Sequence, residues 1–146
     1  MNRKLKERLI SIIDVTNDFF TNITNEKLGL KLSGLPSNTI GSQAWCLIGA
    51  RESYMKAYVE EKWVGFACSL TDTNNNELVN KKLIASRQMV IDLLDKHPGK
   101  PLDMIFELIE HEAMHQGQLI RYAYANKILF PKSWIHKYAL EQVKTV

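Results

Sequence analysis

Apolar residues recur along this 146-residue chain with the spacing expected of amphipathic helices. The first such pattern comprises Leu5, Leu9, Ile12, Ile13, Phe19 and Ile23. Most steps between these positions are three, four or six residues, so the side chains lie near one stripe of a helix. The pattern ends before the Gly and Pro residues of GLKLSGLPSN, which predicts that the first helix ends there.

A second helix is predicted from just after Pro36 to about Glu60. Ser37 or Asn38 is its expected N-cap, because both side chains can accept a hydrogen bond from a first-turn amide. A third helix is predicted over about 76–95, and it stops at the helix-breaking run HPGKP.

The fourth helix is predicted to begin at Pro101, which a first helical turn tolerates, and to continue to about Asn126. A short fifth helix is expected after Pro131. Strand signals are poor, because the one extended candidate, WVGFACSL, cannot form a sheet by itself.

Four long helices with connections of moderate length predict an all-α fold, a four-helix bundle. Long loops at one end of the bundle, at 26–37 and 61–76, and a short C-terminal helix complete the expected architecture. Residues 1–146 suit a single domain, because this length supports one core. Loops of this length often frame a site.

Charge and composition exclude several classes of function. The net charge is +3, from 19 Lys and Arg against 16 Asp and Glu, and no long basic block gives support for nucleic-acid binding. No apolar run approaches the ~18 residues of a membrane span, and the N-terminus is too charged for a signal peptide. The expected location is therefore cytoplasmic, away from membranes, with Cys46 and Cys68 as free thiols.

Candidate chemistry lies in the fourth helix, in the run IEHEAMHQGQLIRY. His111 and His115 are four residues apart, so both side chains lie on the same helix face. Two neutral imidazoles so placed suit Zn, Ni, Cu or Fe. The alternative is a pair of core or solvated histidines, and spacing alone leaves both interpretations open.

The histidine face predicts a pocket, because it mixes apolar and polar side chains. Its members are Met104, Leu108, His111, His115, Gln118 and Tyr122. A strip of mostly small side chains on the second helix is expected to face it: Gln43, Cys46, Ala50, Ser53 and Ala57. The expected pocket lining is Gln43, Ala50, Ser53, Gln118 and Tyr122. Cys46 is either a third metal ligand, since thiolate binds zinc strongly, or a small buried apolar residue.

The same run matches the zinc-protease pattern H-E-x-x-H, with Glu112 as general base. His136 or Glu141 would then be the distant third ligand. This interpretation is disfavoured, because Glu112 lies about 60–100° from the histidine face. Peptide-cleaving enzymes of this kind also usually offer an edge strand to the substrate, and no sheet is expected here.

The run HEAMHQGQLIRYAYANKILFPKSW resembles the last long helix of the DinB/YfiT-like family of metal-dependent proteins. The resemblance rests on His-x-x-x-His followed by Gly117, Gln118 and Leu119, and then by Pro131 and Trp134. The run TIGSQAWCLIGARESYMKA also resembles that family's second helix, so the resemblance covers most of the chain.

The resemblance implies a four-helix bundle, often a homodimer, that binds a divalent metal such as Zn or Ni through three histidines and open water positions. His111 and His115 match two of those histidines. Cys46 stands where the third is expected, which implies either a softer Cys/His/His site or a degenerate one.

The function that the resemblance implies is a metal-dependent enzyme acting on a small-molecule substrate. Similar proteins include transferases of low-molecular-weight thiols, so a thiol S-transferase is the most concrete expectation, followed by a hydrolase. The alternative is a metal-free, non-enzymatic bundle that binds a small ligand or a partner in the same pocket.

Overall fold

Residues 1–142 are described by the structure, a computed structural model, and they form an all-helical fold. No strand occurs in that part of the chain. The helices are α1 (Arg3–Thr21), α2 (Asn25–Leu28), α3 (Ile40–Glu60), α4 (Asn76–Lys96), α5 (Asp103–Ala125) and α6 (Lys132–Tyr138). The expected all-α class is therefore confirmed, and the single-turn α2 is an element that the sequence did not predict.

The start of α3 differs from the prediction. Thr39, not Ser37 or Asn38, is the N-cap, because its backbone is extended and its hydroxyl accepts from the Ser42 amide at 3.0 Å. The side chain of Asn38 is engaged elsewhere, with Gln43 and Tyr122. The start of α5 also differs by two residues, since the first helical residue is Asp103 rather than Pro101.

Helix α3 packs against both α4 and α5, and α1 packs against the same two helices. Apolar side chains between them form two core clusters, one that includes Leu9, Ile13 and Ile105 and one that includes Phe19 and Trp134. Trp134 on α6 is fully buried, and its indole N–H donates to the carbonyl of Val15 at 2.6 Å. The short C-terminal helix is thereby fixed against α1.

The segment 61–75 lies along α3 without forming a strand. Side chains of α3 instead bind polar groups of two of its residues, Ala67 and Ser69. The Ser53 hydroxyl exchanges hydrogen bonds with the amide and carbonyl of Ala67, both at 3.0 Å. The Glu52 carboxylate accepts from the amide of Ser69 at 2.8 Å and from its hydroxyl at 2.6 Å. The candidate strand WVGFACSL is therefore an anchored loop.

None of the helices in residues 1–142 combines the length and apolarity that a membrane crossing requires.

Candidate metal and ligand site

His115 lies on the face of α5 that packs against α3, and its side chain contacts Gln43 across that interface. The imidazole Nδ1 is hydrogen-bonded to the amide oxygen Oε1 of Gln43. An amide oxygen can only accept, so Nδ1 carries the proton and Nε2 keeps its lone pair. His115 is only 5% exposed, so this partner holds the ring in one tautomer and orientation.

Asn38 and Tyr122 in turn hold Gln43. The Gln43 amide nitrogen donates to Oδ1 of Asn38 at 3.0 Å, which directs the Gln43 oxygen towards His115. The Tyr122 hydroxyl lies 2.5 Å from the same Oδ1 and 2.7 Å from the Asn38 carbonyl. A chain of polar contacts thus runs from the loop before α3 to the imidazole of His115.

His111 lies one turn before His115 on α5, with the two ring centroids 4.4 Å apart. Its Nδ1 is buried and has no hydrogen-bond partner within residues 1–142. The ring meets Tyr54 edge-on at 5.8 Å, and Tyr54 packs against Trp63 at 5.4 Å. A buried imidazole nitrogen without a partner is an exception among buried polar groups and marks a candidate ligand position.

Burial keeps both imidazoles neutral at physiological pH. Burial, together with a smaller effect of the neighbouring His111, lowers the pKa of His115 to about 4. Burial also lowers the pKa of His111, against a smaller opposite effect from the Glu112 charge. Neutral imidazoles are the form that binds metal ions, so the pair needs no deprotonation before binding.

No third His, Cys, Asp or Glu joins the pair in a metal-binding group within the described part of the chain. Cys46 is half-buried and borders a separate cavity with Trp45 and Thr73. Burial raises the pKa of its thiol, which disfavours the thiolate. The structure therefore brings Gln43 to the histidine pair and does not bring Cys46 there.

Glu112 is fully buried on another face of α5, where it pairs with Arg51 of α3. The guanidinium Nε lies 2.5 Å from Oε1, and the Thr16 hydroxyl donates to Oε2 at 2.5 Å. Arg51 also donates to Ser86 Oγ at 3.0 Å and to the Leu83 carbonyl at 3.2 Å. With its oxygens so engaged, Glu112 is not available as the general base of a zinc-protease site. The pair joins α3 to α5, whereas the neighbouring Glu52 binds the 61–75 segment.

Two cavities lie along the histidine face of α5, one on each side of the pair. The first, about 200 Å³, is lined by Trp63 and Met104 among others. The second, about 370 Å³, is lined in part by Gln43, Gln118 and Tyr122, and we call it the Gln43 cavity. Three of the five residues expected to line a pocket therefore do so together.

The other two expected pocket residues lie elsewhere. Ala50 is fully buried in the core cluster that contains Ile105, so its small side chain serves helix packing. Ser53 borders a different cavity, of about 400 Å³, together with Glu52 and Cys68. The small side chains of α3 do not make one continuous cavity, because the core and the 61–75 segment occupy the space beside them.

The remaining histidines have other surroundings. His97 is the C-cap of α4, and its carbonyl accepts from the Tyr58 hydroxyl at 2.7 Å. His136 is exposed on α6.

The sequence did not predict three residues of the site, namely Asn38, Tyr54 and Arg121. Periodicity shows which face of a helix is buried, but it does not show which loop or exposed polar groups reach that face.

Comparison with protein-family models and with curated proteins gives no match to this chain.

Proposed function

We propose that this protein is a metal-dependent enzyme with a DinB-like four-helix bundle, in which His111 and His115 hold a divalent ion such as Zn or Ni. The observation that carries the proposal is the hydrogen bond between Gln43 and His115. Metal-ligating histidines almost always donate their second ring N–H to an oxygen acceptor, which fixes the tautomer and raises ligand basicity. A pair that only filled the core would have all of its buried ring nitrogens satisfied, whereas Nδ1 of His111 has no partner within residues 1–142.

Four long helices support the bundle arrangement, since α3 packs against α4 and α5, and α1 packs against the same pair. Ligand and metal sites in bundles are built from side chains on facing helices. The His111/His115 pair on α5 and Gln43 on α3 have that relation, with the Gln43 cavity beside them.

The donor set leaves more open positions than a structural metal site would. His111 and His115 would supply two protein ligands to a divalent ion, and water or substrate would complete its coordination, as in catalytic sites. An ion so held would supply Lewis acidity, which favours the deprotonated form of a nearby water or thiol. Gln43 holds the His115 ring, while the Tyr54 ring packs between His111 and Trp63.

The reaction proposed first is transfer of a low-molecular-weight thiol to an electrophile: the sulfur forms a bond to carbon, the leaving group departs with its bonding electrons, and the thiol proton is released. Hydrolysis is the second choice. Both rest on the resemblance described above and on the open positions of the donor set. Conjugation of an electrophile by a panel of small thiols, with added metal, tests the first choice. No conjugation by any thiol, together with metal-dependent ester or amide hydrolysis, would support the second choice instead.

The metal itself is tested by titrating the full chain, purified without a nickel column and without a histidine tag, with Zn²⁺ and Ni²⁺. We expect one ion per chain for the parent protein and loss of binding for His115→Ala. His136→Ala is the matched control, because it removes an exposed histidine from α6. Binding that is equal in the parent and in His115→Ala would overturn the proposal. Full affinity in Cys46→Ser would remove Cys46 from the ligand set.

A second function is a metal-free bundle that binds a small ligand in the same pocket. The lack of a third His, Cys, Asp or Glu beside the pair, within residues 1–142, favours it. Sub-stoichiometric metal in the titration above, with ligand binding retained, would support this alternative.

A further inference from the structure

The Gln43 cavity is lined by a positively charged residue, Arg121 on α5. Among residues 1–142, no other Asp, Glu, Lys or Arg lines this cavity. The guanidinium forms no ion pair with any side chain of residues 1–142. Because guanidinium groups in proteins stay protonated at all relevant pH values, this wall of the cavity is permanently cationic.

Two amide groups add further hydrogen-bond donors to the same cavity. Oδ1 of Asn38 already accepts from Gln43 and Tyr122, and its Nδ2 has no partner within the described residues. Gln118, one turn from His115, also lines the cavity, and its amide is likewise without a partner in that part of the chain. Arg121, Asn38 and Gln118 are all exposed to solvent, and their side chains offer N–H groups to a ligand without a competing carboxylate among them.

The rest of the lining limits the size and character of a ligand. The volume of about 370 Å³ is near the lower end of small-molecule sites, which run from roughly 300 to 1,000 Å³. Leu32 and Pro36 provide an apolar wall. A single guanidinium matches a monoanionic carboxylate in charge and in fork geometry, whereas part of the larger negative charge of a phosphate, about −1.5 to −2, would stay unmatched.

We propose that the Gln43 cavity binds the carboxylate of a small organic acid, held by Arg121 with Gln118 and Asn38. The inference deepens the proposed function, because Gln43 lines the cavity and also holds His115, so a carboxylate-bearing substrate would sit beside the metal ligands. Binding of the acid does not itself require metal, so the two proposals can fail separately.

The test is an NMR titration of the isotope-labelled full chain, treated with a chelator, with butyrate, hexanoate and benzoate. Each acid is paired with its uncharged amide, and inorganic phosphate forms a further arm. We expect the acids, but not the amides, to shift the side-chain signals of Asn38, Gln118 and Arg121. Because the site is open to solvent, we also expect affinity to fall as salt is raised.

Arg121→Gln should weaken acid binding about tenfold or more, because the charged partner and both N–H groups of the fork are lost. Lys81→Gln is the matched control, since it removes one exposed positive charge from α4 and should leave binding unchanged. Gln118→Leu is a second variant that keeps the charge and removes one donor, and it should weaken binding by a smaller factor.

Equal binding of acids and amides, or equal binding by the parent and Arg121→Gln, would overturn the inference. Tighter binding of phosphate than of every acid would overturn the choice of carboxylate. Acid binding that persists in a protein with no measurable metal affinity would support this inference while contradicting the metal-dependent function.

Discussion

The imidazole Nδ1 of His115 and the amide oxygen of Gln43 are hydrogen-bonded across the interface of α5 and α3. This single contact fixes which nitrogen of His115 is available, and it joins the histidine pair to the Gln43 cavity. Gln43 therefore has two roles in the proposals above, as the residue that orients a metal ligand and as part of the ligand-binding wall.

Replacing Gln43 with Met should lower metal affinity by roughly 10–100-fold, because the acceptor for the Nδ1 proton is lost while the side-chain volume is kept. Gln43→Glu should keep or raise the affinity, since a carboxylate accepts from Nδ1–H at least as well. Isothermal titration with Zn²⁺ measures both. Equal affinities for the parent and Gln43→Met would show that the contact does not serve a metal ligand.

The chelated protein should lose stability as pH falls from about 6.5 towards 4. The pKa of His115 is lowered from 6.5 to about 4 by burial and by His111, so the unfolded chain binds its proton first. The folded state is then disfavoured by up to about 3 kcal/mol across that window, and nothing is lost above it. Urea unfolding at pH 7, 5.5 and 4.5 should show this loss for the parent protein.

His115→Gln is the control for that measurement, because a glutamine side chain does not titrate between pH 6.5 and 4. Its free energy of unfolding should fall less between pH 7 and 4.5 than that of the parent. Parallel pH profiles for the two proteins would contradict a buried, neutral His115.

Breaking the buried pair of Arg51 and Glu112 should be costly. Both side chains are fully buried, so Glu112→Gln or Arg51→Met leaves an uncompensated charge and should cost about 3–5 kcal/mol of unfolding free energy. The double variant Arg51→Met with Glu112→Leu should recover much of that loss. Lys100→Met breaks a partly exposed pair with Glu61 and should cost less than about 1 kcal/mol. Urea denaturation compares these four variants with the parent protein.

Two glycines of α3 allow the 61–75 segment to approach the helix. A Cβ at Gly41 would lie 2.1 Å from the Thr73 carbonyl oxygen, and one at Gly49 would lie 2.6 Å from a ring carbon of Phe66. Gly41→Ala and Gly49→Ala should each destabilise the protein by about 1–3 kcal/mol through overpacking.

Gly117→Ala is the matched glycine control, because a Cβ there meets nothing within 4 Å. It should stabilise α5 by roughly 0.5–1 kcal/mol through helix propensity. Thermal unfolding measures all three variants, and a stabilised Gly41→Ala would show that the segment packs differently.

The sequence predicted the long helices well, because their apolar stripes are periodic and HPGKP and the Gly and Pro residues around Pro36 interrupt them. It also predicted that Gln43, Gln118 and Tyr122 share a cavity, since helical spacing decides which residues share a face. The N-cap at Thr39 was missed, because three consecutive residues, Ser37, Asn38 and Thr39, can all cap a helix and only tertiary contacts decide among them.

The spacing of residues along the sequence could not predict which side chains pair between helices. Nothing in the spacing of Arg51 and Glu112 shows that they meet, because 61 residues separate them along the chain. Ala50 and Ser53 were expected to leave a cavity, yet small side chains equally allow close packing. The 61–75 segment along α3 determines whether a cavity forms there. The path of such a segment cannot be predicted from periodicity, because loops have no regular spacing of apolar residues.

The contact of Trp63 with Tyr54, and of Tyr54 with His111, provides the protein with its own optical probe. Trp63 is half exposed and lies one aromatic ring away from His111. Ni²⁺ or Cu²⁺ bound at the histidine pair should quench its fluorescence, whereas Zn²⁺, with a filled d shell, should leave it bright. Loss of the quenching in Trp63→Phe, but not in Trp45→Phe, would show that Trp63 is the quenched fluorophore. Metal occupancy of the histidine pair could then be followed in unlabelled protein.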